Sequence, residues 1–314
     1  VILPADATDS IAIAARALAA GELVGFPTET VYGLGADAGV DSAVAKIFAA
    51  KGRPREHPLI VHVADPDPGG AGVAYFAASV PDFAQRLMRA FWPGPLTLIL
   101  PRRPGIGAAA AGGQDSIGLR CPSHPLALAL LRAASELGVH GVAGPSANRF
   151  GRVSPTTAAH VQQEFGQALV ILDGGACAVG IESTIVDCSR GVPVLLRPGM
   201  LTSEQIEAAC GCKLFAKDEI PSADIALGAP TPRASGLLTS HYAPNAKVRL
   251  MDATAIQAAL DLLGADLDGS SARIGATARA KFLPQGSDSL ASDHWMMLGW
   301  LRSRWSISSS AWIV

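Results

Sequence analysis

Short apolar bursts alternate with segments of helical period through the first two hundred positions, the rhythm of an α/β fold. Leu23–Phe26 reads as a strand, Ser42–Ala50 as a helix with Val44, Ile47 and Phe48 on one face, and Leu59–Val63 as the next strand. Ser79–Phe91 follows as a helix, with Pro81 in its first turn and Trp92-Pro93-Gly94 ending it. Leu96–Leu100 and Ile117–Arg120 then read as strands, Pro125–Leu137 as a helix, and His140–Ala143 as a strand. A polar loop runs to Pro155, before a helix over Thr156–Phe165 capped by Thr156 and a strand over Leu169–Asp173. Ser183–Cys188 and Val192–Arg197 form a hairpin-like pair turning at Arg190-Gly191, and Ser203–Cys210 is a short helix. The strands look mixed in direction.

From Lys213 to Ser240 the periodicity fades into Pro, Ser, Gly and Ala, which marks a linker. Lys247–Met251, Ala253–Leu263 and Arg273–Ala276 then predict a strand, a helix and a strand of a second small α/β unit. The tail "DHWMMLGWLRSRWSISSSAWIV" holds four of the five tryptophans and does not continue the rhythm, so it is set apart as atypical.

The 314 residues suit two domains at roughly 100–200 residues each. No apolar run reaches the roughly 20 residues of a membrane span. No basic, apolar leader opens the chain, and Val1 in place of Met suggests a processed or trimmed start; the expected location is cytoplasmic. Five cysteines are odd in number and scattered, and Cys210-Gly-Cys212 lacks the second pair of a zinc site, so they read as reduced structural thiols. With a net charge of −2, any nucleic-acid contact must come from a local patch.

The P-loop, zincin and nucleophile-elbow signatures are missing. In their place stand five polar loops in which glycine or proline fixes the backbone while hydroxyls and cations reach outward. In "GFPTETVYGLG", Pro27 stiffens the exit of a strand, Thr28, Glu29 and Thr30 offer polar groups, and Gly33 and Gly35 would let a ligand approach. Alternatively it is a turn with local caps.

In "KGRPREHPLIVHV", Lys51, Arg53, Arg55 and His57 suit phosphate oxygens, although Arg55 reads better as a charged helix end, and His62 reads as a core histidine or a ligand group. "DSIGLRCP" puts Ser116 and Arg120 at the two ends of one strand, Arg120 for a carboxylate or for a structural ion pair. "GPSANRFGRVSP" gathers Ser146, Asn148, Arg149, Arg152 and Ser154 in a loop opened by Gly144. "GIESTIVD" with "LLRPG" adds Ser183, Thr184 and Arg197. No catalytic dyad or metal cluster emerges; such a set binds an anionic substrate and works by positioning, as phosphoryl or nucleotidyl transfer requires.

PTETVYGLG, KGRP with PLIVHV, WPGPLTLIL, SIGLRCP, PSANRFGRVSPT, ESTIVD, LLRPG and SHYAP occur in that order, continuously from about residue 8 to 250. They resemble the YrdC-domain family, and more closely its long two-domain form, the L-threonylcarbamoyladenylate synthases. The resemblance implies a YrdC-like twisted mixed sheet with flanking helices over 1–212, a linker or lid over 213–244, and a small Rossmann-like α/β domain over 245–314. It implies that L-threonine, bicarbonate and ATP, with Mg²⁺, give threonylcarbamoyl-AMP and pyrophosphate, feeding a downstream tRNA threonylcarbamoyl transferase.

By the same resemblance Lys51, Arg53, Ser146 and Asn148 hold the phosphates and the carbamate. Thr30, His62, Arg120, Gly144 and Ser183 hold threonine. Arg53, His57, Ser116, Ser146, Ser154, Arg197 and Tyr242 meet ATP. Ser116 stands where the family often has threonine, and His57 occupies a variable position. The competing reading is a double-stranded RNA-binding module with Lys51, Arg53, Arg149 and Arg152 on the phosphate backbone; aromatics at 5% and the negative net charge weigh against more than a weak RNA contact. Carbamoyl transfer from carbamoyl phosphate is a third reading, but the zinc-finger and acylphosphatase-like modules expected with it are missing.

Overall fold

The computed structural model describes residues 1–5, 9–217, 219 and 231–234, and the backbone of two short strands at 278–279 and 297–298. The chain divides into two compact units, Val1–Tyr242 and Ala243–Val314. In the second, Ala278–Arg279 pairs antiparallel with Met297–Leu298. The strand, helix and strand expected over 247–276 lie outside the described residues.

In the first unit the described elements run β1 (Ile2–Pro4), α1 (Ser10–Ala19), β2 (Val24–Phe26), β3 (Gly33–Asp37), α2 (Asp41–Lys51), β4 (Ile60–His62), α3 (Ala71–Phe76) and α4 (Asp82–Phe91). They continue with β5 (Leu96–Pro101), β6 (Ser116–Arg120), α5 (Pro125–Glu136), β7 (Val142–Ala143), α6 (Ala158–Phe165), β8 (Val170–Asp173), β9 (Thr184–Asp187), β10 (Val194–Arg197), α7 (Ser203–Cys210) and β11 (Phe215–Ala216). One mixed sheet takes the spatial order β1-β8-β2-β3-β7-β4-β6-β5-β9-β10-β11. β4 and β6 are parallel, as are β5 and β9, while β5 and β6 are antiparallel.

Because side chains alternate across a strand, Val61, Leu119, Leu98 and Val186 enter the large core with residues of α2, α4 and α7 such as Ile47, Leu87, Met88 and Ile206. Ile60, His62, Arg120 and Thr97 belong to the opposite face, where the clefts lie. A second core joins α1 and α5 to Val24, Phe26 and Leu172.

Local chemistry explains the element ends. α2 buries the expected face of Val44, Ile47 and Phe48 and stops at Gly52, whose φ of 64° is left-handed. The hairpin pair β9 and β10 is antiparallel, and Gly191 takes a φ of 92° at the turn. α6 starts later than expected: Thr157, not Thr156, caps it by accepting a hydrogen bond from the His160 amide. Strand β1 and helices α1 and α3 are elements beyond those expected from the apolar runs.

The stretch at 25–35 is also different. It is two antiparallel strands joined by a polar bend, with Val24 opposite Gly35 and Phe26 opposite Gly33. Its glycines answer to a core ring, and Gly33 also lines one of the clefts. A Cβ at Gly33 would stand 2.8 Å from two atoms of the Phe26 ring, and one at Gly35 would stand 2.9 Å from Val142 and 3.0 Å from Phe26.

Gly33→Ala should therefore destabilise the protein by about 1–3 kcal/mol in urea unfolding, the usual magnitude of overpacking. Combining it with Phe26→Leu should recover part of that loss. Strictly additive costs in the double-mutant cycle would remove the ring as the cause.

Candidate functional site

Strand register lines up the first group of polar side chains. His62 on β4 stands opposite Arg120 on β6, and the antiparallel register of β6 with β5 places Thr97 next across. Thr97 Oγ1 and Ser183 Oγ are 2.7 Å apart, which extends the row to the residue preceding β9. Arg197, at the end of β10, forks Nε and Nη2 onto the Ser183 carbonyl at 3.1 and 2.9 Å and also donates to its hydroxyl.

Arg120 is held from three sides. Nε donates to the Gly94 carbonyl, Nη1 donates to Thr30 Oγ1 at 2.8 Å, and Nη2 lies 2.7 Å from Glu29 Oε1. The last contact is not directed along an N–H bond, so buried Nη2 has no hydrogen-bond acceptor among the described residues. A carboxylate entering the cleft would supply one. His62 is buried, and its pKa falls to about 3, through burial first and the Arg120 charge second. It is a neutral ring whose Nδ1 has no partner among the described residues.

The second group comes from two loops sewn together. The Tyr32, Leu34 and Ala147 amides donate to Pro155, Pro145 and Tyr32 carbonyls, which binds the 144–155 loop to the 27–35 stretch. Lys51 Nζ donates to the carbonyls of Ser146, at 2.6 Å, and Asn148. The Phe150 amide donates to the Lys51 carbonyl in return. Asn148 Nδ2 donates to the Arg149 and Arg152 carbonyls at 2.7 and 2.8 Å, closing the loop on itself. Lys51 and Asn148 thus shape the loop that presents Ser146. Arg53 donates to the Pro58 carbonyl and stacks over Phe150 at 5.9 Å.

A cleft with about 500 Å³ of atom-free space, counting the part open to solvent, brings eight of the expected residues together: Thr30, Arg53, His62, Arg120, Gly144, Ser146, Ser183 and Arg197. Gly144 fits there only without a Cβ, which would lie 2.8 Å from Phe26 and 2.9 Å from His62 Nδ1. Lys51 and Asn148 stand behind this wall instead of lining it. Ser154 also stands back, donating to Glu182 Oε1 at 2.5 Å. His57 packs edge-on against Phe150 and is pushed down in pKa by burial and by Arg53.

Ser116 borders a separate cavity with Gln114, Ile99, Ile185 and Arg233. It lies four residues along β6 from Arg120, roughly 13 Å at 3.3 Å per residue. Tyr242 is outside the described residues. Arg149 and Arg152 turn to Glu164, which weakens the basic patch expected of that loop.

Two polar residues of the site were not singled out in the sequence: Glu182, which lines the cleft, and Thr97, which meets Ser183 and lines the neighbouring cavity. Each carried a signal: Thr97 is the polar position inside the apolar run LTLIL, and Glu182 directly precedes a chosen serine. Glu182 is the carboxylate-bearing residue among those that line the cleft.

Residues 16–199 match the Sua5/YciO/YrdC family, described as "Telomere recombination", and residues 201–302 match the threonylcarbamoyl-AMP synthase C-terminal domain. The chain is 43% identical to the threonylcarbamoyl-AMP synthase of Pyrococcus abyssi over 77% of its own length and 68% of that protein. It is 44% identical to that of Bacillus subtilis over 77% of its own length and 66% of that protein. The chain thus spans about two thirds of these relatives. Among solved structures, P. abyssi Sua5 complexed with L-threonine superposes with a TM-score of 0.71 at 36% identity, covering 90% of this chain and 81% of that one.

Burial lowers the Lys51 pKa to about 7, helped by the neighbouring Arg53 charge. Between that value and the usual lysine range the unfolded chain binds a proton that the folded one has released, so stability should rise with pH from about 7 to 10.5, by up to about 1.4 kcal/mol per pH unit. Unfolding free energies measured from pH 7.5 to 9.5 should climb more steeply in the wild type than in Lys51→Met. Equal slopes would show that this amine titrates normally.

Proposed function

Since the chain belongs to the family of threonylcarbamoyl-AMP synthases, we propose that it joins L-threonine, bicarbonate and ATP into L-threonylcarbamoyladenylate and releases pyrophosphate. The observation that carries this reading is the buried Arg120 guanidinium, whose Nη2 makes no directed hydrogen bond among the described residues, in one cleft with His62, Ser183 and the cations Arg53 and Arg197. Arg120 takes the threonine carboxylate, and Thr30, His62, Ser183 and the Gly144 backbone fit the rest of the amino acid. Its ammonium gives up a proton to solvent, the free amine forms a carbamate with bicarbonate, losing water, and a carbamate oxygen attacks the α-phosphorus as pyrophosphate leaves. Exclusion of water protects the carbamate.

Arg53, Ser146 and Arg197 bind the phosphates, with Lys51 and Asn148 holding the Ser146 loop in shape and lending charge from behind. Ser154 and His57 flank the nucleotide, and Ser116 lies at a reach suited to its far end. Among the described residues no group of three or more His, Cys, Asp or Glu is arranged to hold a metal ion. Glu182, the carboxylate that lines the cleft, would be the residue to help hold Mg²⁺ carried in on the triphosphate. The ion would offset phosphate charge.

Catalysis is assigned to 1–212 and a lid to 213–244, with the small α/β domain over 245–314 and Tyr242 of SHYAP against the nucleotide. In support, the Arg190 guanidinium donates to Thr231, and Gln114 exchanges two hydrogen bonds with the Arg233 backbone, beside the cavity that Ser116 borders. The product would pass to a tRNA threonylcarbamoyl transferase. A weak RNA contact would have to do without Arg149 and Arg152, already drawn to Glu164.

Pyrophosphate release should require threonine, bicarbonate and ATP together. Lys51→Ala and Arg53→Ala should each lower it by roughly a hundredfold or more, the scale of losing a preorganised charge at a transition state. Turnover without threonine or bicarbonate, or near-normal turnover in either variant, would overturn the assignment.

A further inference from the structure

Glu29 is the buried carboxylate beside the proposed threonine subsite for which the reaction above has no use. Its Oε1 lies 2.7 Å from Arg120 Nη2, yet neither carboxylate oxygen makes a directed hydrogen bond among the described residues. The contact is therefore Coulombic. It neutralises the guanidinium without occupying the N–H bonds that a ligand would use. His62, the third ionisable group of this wall, stays uncharged for the reasons of burial and Arg120 proximity given above.

The wall thus combines a strong carboxylate-binding fork with no net charge. An arginine without a counter-ion would draw in any carboxylate. One already neutralised at short range gains little from a monoanion, which would leave two carboxylates around one guanidinium in a buried place. A zwitterion brings its own cation with its carboxylate and keeps the pocket neutral. The remaining charged groups that line the cleft, Arg53, Arg197 and Glu182, include both signs.

We propose that Glu29 is a specificity-determining residue that restricts the subsite to α-amino acids bound as zwitterions and rejects hydroxy-carboxylate monoanions of the same shape. The inference rests on the threonine reading of the cleft.

The test is calorimetric binding of L-threonine and of (R)-3-hydroxybutanoate, which is threonine without its amine, to the full chain and to Glu29→Gln. The wild type should prefer threonine by tenfold or more, and in Glu29→Gln that preference should shrink by about tenfold, while Glu29→Asp keeps it. A merely structural role would weaken both ligands together and leave their ratio unchanged. Wild-type protein that binds the two ligands equally well would overturn the proposal even if Glu29→Gln does not fold, and so would an unchanged ratio in a folded Glu29→Gln protein. If the wild type binds no threonine at all, it is the proposed function that fails, together with the inference resting on it.

Discussion

The Phe26 ring is the constraint around which the site is assembled. Three glycines from two segments, Gly33 and Gly35 of β3 and Gly144, come so close to it that a Cβ on any of them would crowd the ring, and His62 meets it edge-on with ring centroids 5.4 Å apart. One aromatic side chain therefore fixes the spacing of β2 and β3, the start of the 144–155 loop and the plane of His62. Backbone hydrogen bonds then carry that placement outward to Pro145, Ala147 and Pro155. The cleft inherits its shape from packing beneath it, which is why its walls include so many buried polar groups.

Those groups are tolerable because the buried cations have specific compensation. Lys51 reaches two carbonyls, Arg190 pairs with Asp187 at 2.7 Å, and Arg120 has Glu29. Burial of an unpaired charge would otherwise cost several kcal/mol. The three solutions differ in what they leave available. Carbonyls leave the Lys51 charge undiminished but easy to lose, while the carboxylate beside Arg120 cancels charge and spares hydrogen-bonding capacity.

How much of this could be read from sequence follows from where the signal lies. Strands such as β5 and β9 announce themselves as apolar runs, and α2 by its single buried face, because their burial is written in residue type. β3 reads as a loop because Gly-Leu-Gly-Ala-Asp has almost no strand character; its glycines are matched to the ring of Phe26, which pairs with Gly33 across the two strands. α1 did carry a legible signal, an alanine-rich helical period, whereas β1 is three residues long and draws its definition from β8. The loops that carry the cleft were recognisable as dense polar clusters. Nothing in residue type separates Arg53, which lines the cleft, from Lys51, which stands behind it, since that depends on which carbonyls the folded loop offers.

Compensation and chemistry meet in the distribution of charge along the cleft. On the proposed reading, threonine enters as a neutral zwitterion against a neutral wall, and conversion of its ammonium to a carbamate replaces a cation with an anion. The wall at Glu29 and Arg120 has no attraction to offer that new charge, whereas Arg53 and Arg197 do, and they are the groups assigned to the phosphates. Because Arg53 and Arg197 line the same cleft, the field that admits the substrate also favours movement of its reactive end toward ATP. A uniformly cationic pocket would bind the carbamate as tightly but would give it no direction.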